Sequence, residues 1–141
     1  MKVHMKKFFK RDINSLDKIF NFLKSFWETI NIGADELYEI ELTIEEIFTN
    51  FVKYNSNTTN EIQIELLKQN SSLTIIITDF NVDPFNPLER PPYNTARKLE
   101  ERPIGGVGIH LVKQYMDDIK YNYENRNSTI TLIKHLGGSR V

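Results

Sequence analysis

Two long stretches in the first half of the chain repeat apolar residues at the spacing of an amphipathic helix. The first stretch predicts a helix that is capped by Asn14 or Ser15 and runs to about Asn31. The second predicts a helix that is capped by Asp35 and runs to about Tyr54. Residues three and four apart share one face of a helix, so each stretch can bury an apolar stripe.

The remaining patterns are mostly those of β-strands. Two neighbouring segments in the middle of the chain predict a half-buried strand and a fully buried one, because the first alternates apolar and polar residues and the second is β-branched and apolar. Two further segments near the C-terminus predict a hairpin, and a weaker pattern near the N-terminus predicts a short first strand. The predicted strands are residues 6–11, 62–66, 73–78, 119–123 and 129–135, and a third helix is predicted at 106–116.

Residues 80–104 hold all five prolines of the chain and show no clear period, which predicts a long irregular loop. The clustering of strands joined by short turns, with helices elsewhere in the chain, is typical of an α+β fold. We therefore expect a two-layer α/β sandwich, in which a mixed, mostly antiparallel sheet carries the helices on one face. The length of residues 1–141 suits a single domain with one core.

Composition and charge narrow the classes of function. The net charge is -1, so the charge balance suggests neither direct nucleic-acid binding nor membrane binding. No apolar run approaches the roughly 20 residues that span a bilayer, and the basic N-terminus lacks the apolar stretch of a secretory signal. The absence of cysteine excludes disulfides and thiolate chemistry. We expect a cytoplasmic location, and we expect Lys134 to be an ordinary surface charge.

Glu46 and Asn50 are the first candidates for chemistry. They are four residues apart, which places them one turn above each other on the second predicted helix. A carboxylate and a carboxamide stacked in this way can hold a hydrated Mg²⁺ and orient a hydroxyl or a water. The alternative is that both side chains lie on a solvated face, since a helical wheel places them away from the apolar stripe.

Two further segments can contact a ligand. Asp79 ends the predicted strand 73–78, where its carboxylate can accept a hydrogen bond from the exocyclic amine of adenine; the alternative is a turn residue that ends the strand. Three of the six glycines lie at positions 105, 106 and 108, ahead of the third helix. Glycines there let backbone N–H groups approach a phosphate, and a helix N-terminus favours anions. The alternative is a glycine turn that caps the helix.

Together these segments resemble the anti-sigma-factor/serine-protein-kinase group of the Bergerat-fold (GHKL) ATPases. Residues 46–50, E-I-F-T-N, look like the N-box of that group, which often reads E-x-x-T-N. Asp79 and the later P-F-N-P-L-E of residues 84–89 resemble the first glycine box. The sequence E-R-P-I-G-G-V-G-I-H-L of residues 101–111 is similar to the second glycine box, which is the more specific motif.

The resemblance implies a role for each segment. Glu46 would be the catalytic base, Asn50 would ligate Mg²⁺, and Asp79 would contact the adenine of ATP. The second glycine box would line the phosphates, under a lid drawn from residues 88–104. The residues that the resemblance assigns to ATP and Mg²⁺ binding are Asn50, Asp79, Asn81, Arg102, Gly105, Gly106, Val107 and Gly108.

The chain departs from the group in the first glycine box, which normally reads D-x-G and often D-x-G-x-G. Here residues 79–83 read D-F-N-V-D, so Asn81 and Asp83 fill both glycine positions. Asparagine tolerates a positive φ, so Asn81 can take over the backbone conformation of the glycine. Asp83 instead adds a negative charge near the nucleotide.

Two functions of different classes follow from the resemblance. The first is an ATP-dependent kinase that phosphorylates a serine or threonine of a STAS-domain anti-anti-sigma protein. The second is a partner-switching module that sequesters a regulatory protein, such as a sigma factor, with weak or lost ATP binding. A detached ATPase domain of a histidine kinase ranks last, because the sequence has no dimerisation helix with a phospho-acceptor histidine. Members of the group often form homodimers.

Overall fold

The five strands form one antiparallel sheet in the order β1-β2-β3-β5-β4. The structure is a computed structural model that describes residues 2–55, 58–89 and 106–137. In chain order the elements are β1 (Lys2–Phe9), α1 (Leu16–Trp27), α2 (Ala34–Tyr54), β2 (Ile62–Gln69), β3 (Ser72–Asp79), α3 (Gly106–Tyr115), β4 (Asp118–Glu124) and β5 (Asn127–His135).

The sheet is amphipathic, and its apolar face carries the core. In β2, β3 and β5 the apolar side chains of one face are fully buried, whereas most of those on the other face are partly exposed. The three helices pack on the buried face and contribute most of the remaining core residues. This arrangement confirms the predicted α+β two-layer sandwich with its helices on one face, and every strand pairing among the described residues is antiparallel.

The predicted elements are all present, with shifted ends. β1 begins at Lys2 rather than near residue 6, because pairing with β2 continues along the whole strand. α1 ends at Trp27, before the predicted Asn31. Just after Trp27, the N–H groups of residues 29 and 30 donate hydrogen bonds to the carbonyls three residues earlier in the chain.

Of the two predicted caps, Ser15 is confirmed as the N-cap residue of α1 and Asp35 is wrong. Ser15 precedes α1, but its hydroxyl donates to the carbonyl of Lys10 rather than capping the helix. The N-cap of α2 is Gly33, without a side-chain cap, and Asp35 lies inside the first turn. There its negative charge interacts favourably with the positive end of the helix dipole.

The segment after β3 is irregular, as predicted, and part of it packs onto the end of α2. Residues 87–89 form a single 3-10 turn. The ring of Phe85 stacks on Tyr54 with centroids 4.5 Å apart, and it meets Phe51 edge to face. The beginning of the loop is therefore fixed against α2, and the rest of the predicted lid, from residue 90 to 104, lies outside the described residues.

Among the helices that the structure describes, none combines the length and the apolar character needed to cross a bilayer.

Candidate active site

Glu46 and Asn50 lie on the side of α2 that meets α3. The Asn50 amide nitrogen Nδ2 donates to the backbone carbonyl of Glu46 at 2.7 Å and to its carboxylate oxygen Oε1 at 3.1 Å. Asn50 is only 1% exposed, and Glu46 is half-buried. The solvated-face alternative is therefore wrong for Asn50.

Gly108, in the first turn of α3, lies directly against the Glu46 side chain. A Cβ at position 108 would lie 2.3 Å from the carboxyl carbon of Glu46 and 2.4 and 2.6 Å from its two oxygens. No side chain fits there unless the carboxylate moves. The glycine therefore allows the backbone at the start of α3 to approach Glu46, at a helix end where unpaired N–H groups favour negative charge.

Asp79 is held from two sides at the end of β3. Its side chain is fully buried; Oδ1 accepts a hydrogen bond from Nη2 of Arg11, and Oδ2 accepts one from Nδ2 of Asn55 at 3.0 Å. Burial raises the pKa of Asp79 above its ordinary value of 3.8, while Arg11 and Asn55 oppose this shift by stabilising the carboxylate. Asp79 is therefore part of a built polar cluster rather than a simple turn residue.

The Asp79 cluster and the Glu46 pair lie along the same helix. Asp79 shares the helix-covered face of the sheet, and its partner Asn55 directly follows α2. Asn50 precedes Asn55 by about 7.5 Å along the helix axis, at 1.5 Å per residue. A ligand that contacted both groups would thus lie along the second half of α2. The roles that the resemblance implies predict that Glu46, Asn50, Asp79 and Gly106 surround one cavity.

Asn81 confirms the expectation for its backbone. Its φ is +53°, in the left-handed region that glycine adopts without strain. Its side chain does something glycine cannot, because Oδ1 accepts a hydrogen bond from Nε of Arg126 at 3.0 Å. Arg126 also bonds Asp83 at 3.3 Å, and the N–H of Asn81 donates to Oδ1 of Asn127 at 3.1 Å. The substituted first glycine box is therefore tied to the β4–β5 turn.

The second glycine box is described only in part. Arg102 and Gly105 lie outside the described residues. Gly106 and Val107 are the first two residues of α3, so their backbone is placed at its N-terminus. Gly108 is a predicted phosphate-lining residue, and the structure places it against the Glu46 carboxylate.

The donor set suits magnesium better than a metal that prefers nitrogen or sulfur. Within the described ranges, no group of three or more His, Cys, Asp or Glu side chains could hold a metal by itself. Mg²⁺ binds hard oxygen ligands and keeps several waters, usually with one or two protein oxygens and the phosphates of a substrate. The Glu46 carboxylate and the Asn50 carboxamide oxygen are ligands of that kind, so the residues fit a Mg²⁺–nucleotide complex.

Three residues that matter here were missed by sequence reasoning. Arg11 and Asn55 are far from Asp79 in the chain and follow no motif. Lys134, predicted to be a surface charge, is only 2% exposed; its Nζ donates to the Tyr115 carbonyl at 2.7 Å and pairs with Glu39 at 2.9 Å. The available signal was the alternation of β5, which puts Lys134 on the same face as the buried Ile130 and Leu132.

Comparison with known proteins places these features in a family. Residues 9–134 match the model of the family described as "Histidine kinase-like ATPase domain". The serine-protein kinase RsbW of Bacillus velezensis is 26% identical over 113 residues, which cover 76% of this chain and 69% of that protein. The serine-protein kinase RsbW of Bacillus thuringiensis strain Al Hakam is 28% identical over 116 residues, which cover 79% and 72%.

A solved structure agrees with the fold. A crystal structure of the RsbU and RsbW domains of a Mycobacterium tuberculosis protein matches 95% of this chain, with a TM-score of 0.66 and 12% sequence identity. The match covers 32% of that longer chain, about a third of its length. At this identity the likeness establishes the arrangement of helices and strands.

Proposed function

The chain belongs to the histidine kinase-like ATPase domain family, and from that premise we propose that it is an ATP-dependent protein kinase acting on a serine or threonine of a STAS-like antagonist protein. The similar Bacillus proteins are called serine-protein kinases, which supports this class of reaction. In this proposal residues 1–141 form one ATP-binding domain that works in the cytoplasm.

One observation carries the proposal: the carboxylate of Glu46 is held at the first turn of α3. Asn50 donates to it from one turn farther along α2, and Gly108 leaves room for it beside α3. A general base must lie within hydrogen-bond reach of the proton that it takes, and its orientation must be fixed. The contacts of Glu46 support that role, because they fix a carboxylate next to the helix end that suits phosphate groups.

The proposed reaction needs few protein groups, because phosphoryl transfer depends mainly on positioning and charge stabilisation. Mg²⁺-bound ATP would supply the phosphoryl group. The oxygen of the substrate hydroxyl bonds to the γ-phosphorus, and the bond from that phosphorus to the leaving ADP breaks. Glu46 accepts the proton that the hydroxyl loses. The carboxamide oxygen of Asn50 ligates Mg²⁺.

The remaining groups bind the nucleotide in this proposal. Asp79 accepts a hydrogen bond from the amino group of adenine, with Asn81 beside it. The phosphates contact the backbone of Gly106, Val107 and Gly108. The resemblance adds Arg102 and Gly105 to the residues proposed to bind ATP. The proposed partners are a STAS-domain anti-anti-sigma protein and a sigma factor, and the proposed assembly is a homodimer.

The decisive experiment measures nucleotide binding and phosphoryl transfer on the same preparation. ATP affinity is determined by calorimetry with and without Mg²⁺, and transfer is followed with radiolabelled ATP and a panel of STAS-domain proteins. We expect Mg²⁺-dependent binding and labelling of a serine or threonine on a cognate partner. ATP binding without transfer to any STAS-domain protein would exclude the kinase function and would support an ATP-dependent switch instead.

A second candidate is favoured by the first glycine box. Asn81 and Asp83 occupy its glycine positions and are tied to Arg126 in the β4–β5 turn. A box closed in this way supports a non-catalytic module that sequesters its protein partner with weak or lost ATP binding. In the same experiment that module shows weak or no ATP affinity, and it transfers no phosphate to any STAS-domain protein.

A further inference from the structure

Arg11 is a buried arginine in the link between β1 and α1, and each of its guanidinium nitrogens has a partner. Nε donates to the carbonyl of Asn60 at 3.2 Å, Nη1 donates to the carbonyl of Phe51 at 2.9 Å, and Nη2 donates to Oδ1 of Asp79. Its side chain is only 4% exposed. Arg11 therefore joins the end of α2, the segment before β2 and the end of β3 at a single point.

The carboxylate that Arg11 pairs with is itself buried. Asp79 is fully buried, and its neighbours in register, Ile62 and Ser128, carry no charge. Among the described residues its recorded ion pair is with Arg11, and its other recorded side-chain partner is the neutral Asn55. A buried carboxylate that loses its cation takes up a proton at a higher pH, because burial disfavours the charged form.

The pair does not use up the capacity of Asp79 to accept hydrogen bonds. An ionised carboxylate has about four lone-pair sites on its two oxygens. Arg11 takes one site on Oδ1, and Asn55 takes one on Oδ2. About two acceptor sites therefore remain on the Asp79 carboxylate beside Arg11 and Asn55. The other bonds of Arg11, to two backbone carbonyls, hold its guanidinium in place.

On this geometry we propose that Arg11 is a positioning residue of the nucleotide site, which keeps Asp79 charged and aimed as the acceptor for the amino group of a purine base. The inference rests on the proposed function, since it takes the ligand to be ATP. The charge of Asp79 matters because protonation turns one of its acceptor sites into an O–H donor, whereas the amino group of the base needs an acceptor. Arg11 thus acts on the ligand through Asp79, without having to touch it.

The test compares wild type with Arg11→Met, Arg11→Lys and the double variant Arg11→Met/Asp79→Asn. Two quantities are measured between pH 5.5 and 9: ATP affinity, and the pKa of the Asp79 carboxyl from carbon NMR. In wild type we expect ATP affinity to change less with pH than it does in Arg11→Met. In Arg11→Met we expect a raised pKa for Asp79 and an affinity about tenfold lower for each pH unit by which that pKa exceeds the assay pH. Affinity recovers as the pH rises.

The other two variants keep the test valid if Arg11→Met is unstable. Arg11→Lys retains the positive charge and should keep the pKa of Asp79 close to its wild-type value. The double variant replaces the ion pair with a neutral pair of similar size, which proteins often tolerate. It should fold and should bind ATP weakly, with an affinity that does not change with pH.

Three results would overturn the inference. One is a pKa of Asp79 that is the same in Arg11→Met as in wild type. Another is an affinity loss that is equal at every pH, as expected for a purely structural ion pair. The third is tighter ATP binding by Arg11→Met, which would make Arg11 an internal competitor of the nucleotide. If wild type binds no ATP at any pH, the proposed function fails, and the NMR pKa still decides whether Arg11 keeps Asp79 charged.

Discussion

Gly108 leaves so little space beside Glu46 that an added Cβ would lie 2.3 Å from the carboxyl carbon of that residue. The atoms that such a Cβ meets belong to the end of a flexible side chain, so Gly108→Ala should displace the carboxylate without unfolding the protein. A misplacement of about 1 Å can cost roughly 100-fold in rate. We expect phosphoryl transfer to fall by about that factor, while the thermal unfolding temperature stays near its wild-type value.

Gly33→Ala is the matched control for that variant. Its added Cβ would meet Oε1 of Glu36 at 3.4 Å, an ordinary contact, and the φ of Gly33 is -72°. This substitution should leave transfer unchanged. Equal activity of Gly108→Ala and wild type would show that the position of the Glu46 carboxylate does not matter for the reaction.

Asn50→Ala should weaken the binding of Mg²⁺-ATP and reduce turnover with it. The substitution removes the proposed Mg²⁺ ligand and also the hydrogen bond from Nδ2 to the Glu46 carboxylate. Calorimetry in the presence of Mg²⁺ should show lower affinity than for wild type. With the metal removed by EDTA, the two proteins should bind ATP equally, because the lost ligand then has no ion to hold. A defect of the same size with and without Mg²⁺ would contradict the assignment.

The sequence was sufficient for the fold because the apolar periods and the glycine and asparagine turns are local signals. The same was true of Asn81, whose positive φ follows from its place in a box that normally carries glycine. The burial of Arg11 follows from no local signal, and for Lys134 the local signal was the alternation of β5. Their burial depends on partners 68 and 19 residues away in the chain, and charged side chains are usually exposed.

Replacing Asn81 separates its backbone role from its side-chain role. Asn81→Ala places an alanine at a φ of +53°, which costs about 1–2 kcal/mol, and it removes the hydrogen bond from Arg126. Asn81→Gly removes the same bond but restores a residue that adopts this φ without strain. In urea unfolding, the alanine variant should therefore be the less stable of the two. Equal stabilities would show that residue 81 does not need a left-handed backbone.

Lys134→Met should destabilise the protein, although lysine side chains are mostly exposed and their replacement usually has a small effect on stability. The substitution leaves the Tyr115 carbonyl at the end of α3 and the carboxylate of Glu39 without their buried cation. The loss of a partner from buried polar groups costs about 1–3 kcal/mol. Lys120→Met is the control, because the Lys120 side chain is 73% exposed and lies 4.0 Å from Asp118. Its effect on the free energy of unfolding should stay within about 0.5 kcal/mol, and equal effects of the two variants would be inconsistent with a structural role for Lys134.

Glu46→Gln tests the assignment of the catalytic base. Glutamine has nearly the same shape as glutamate, so the contact with Gly108 is retained, but it cannot accept the proton of the attacking hydroxyl. Loss of a positioned general base typically costs about 100- to 10,000-fold in rate. Because the base acts mainly in the transition state, ATP affinity should stay close to that of wild type. The measurement therefore pairs calorimetric ATP binding with the rate of transfer to the cognate STAS-domain protein. Full activity of Glu46→Gln would leave the kinase standing but would require a different residue as its base, whereas loss of both binding and transfer would assign Glu46 to nucleotide binding.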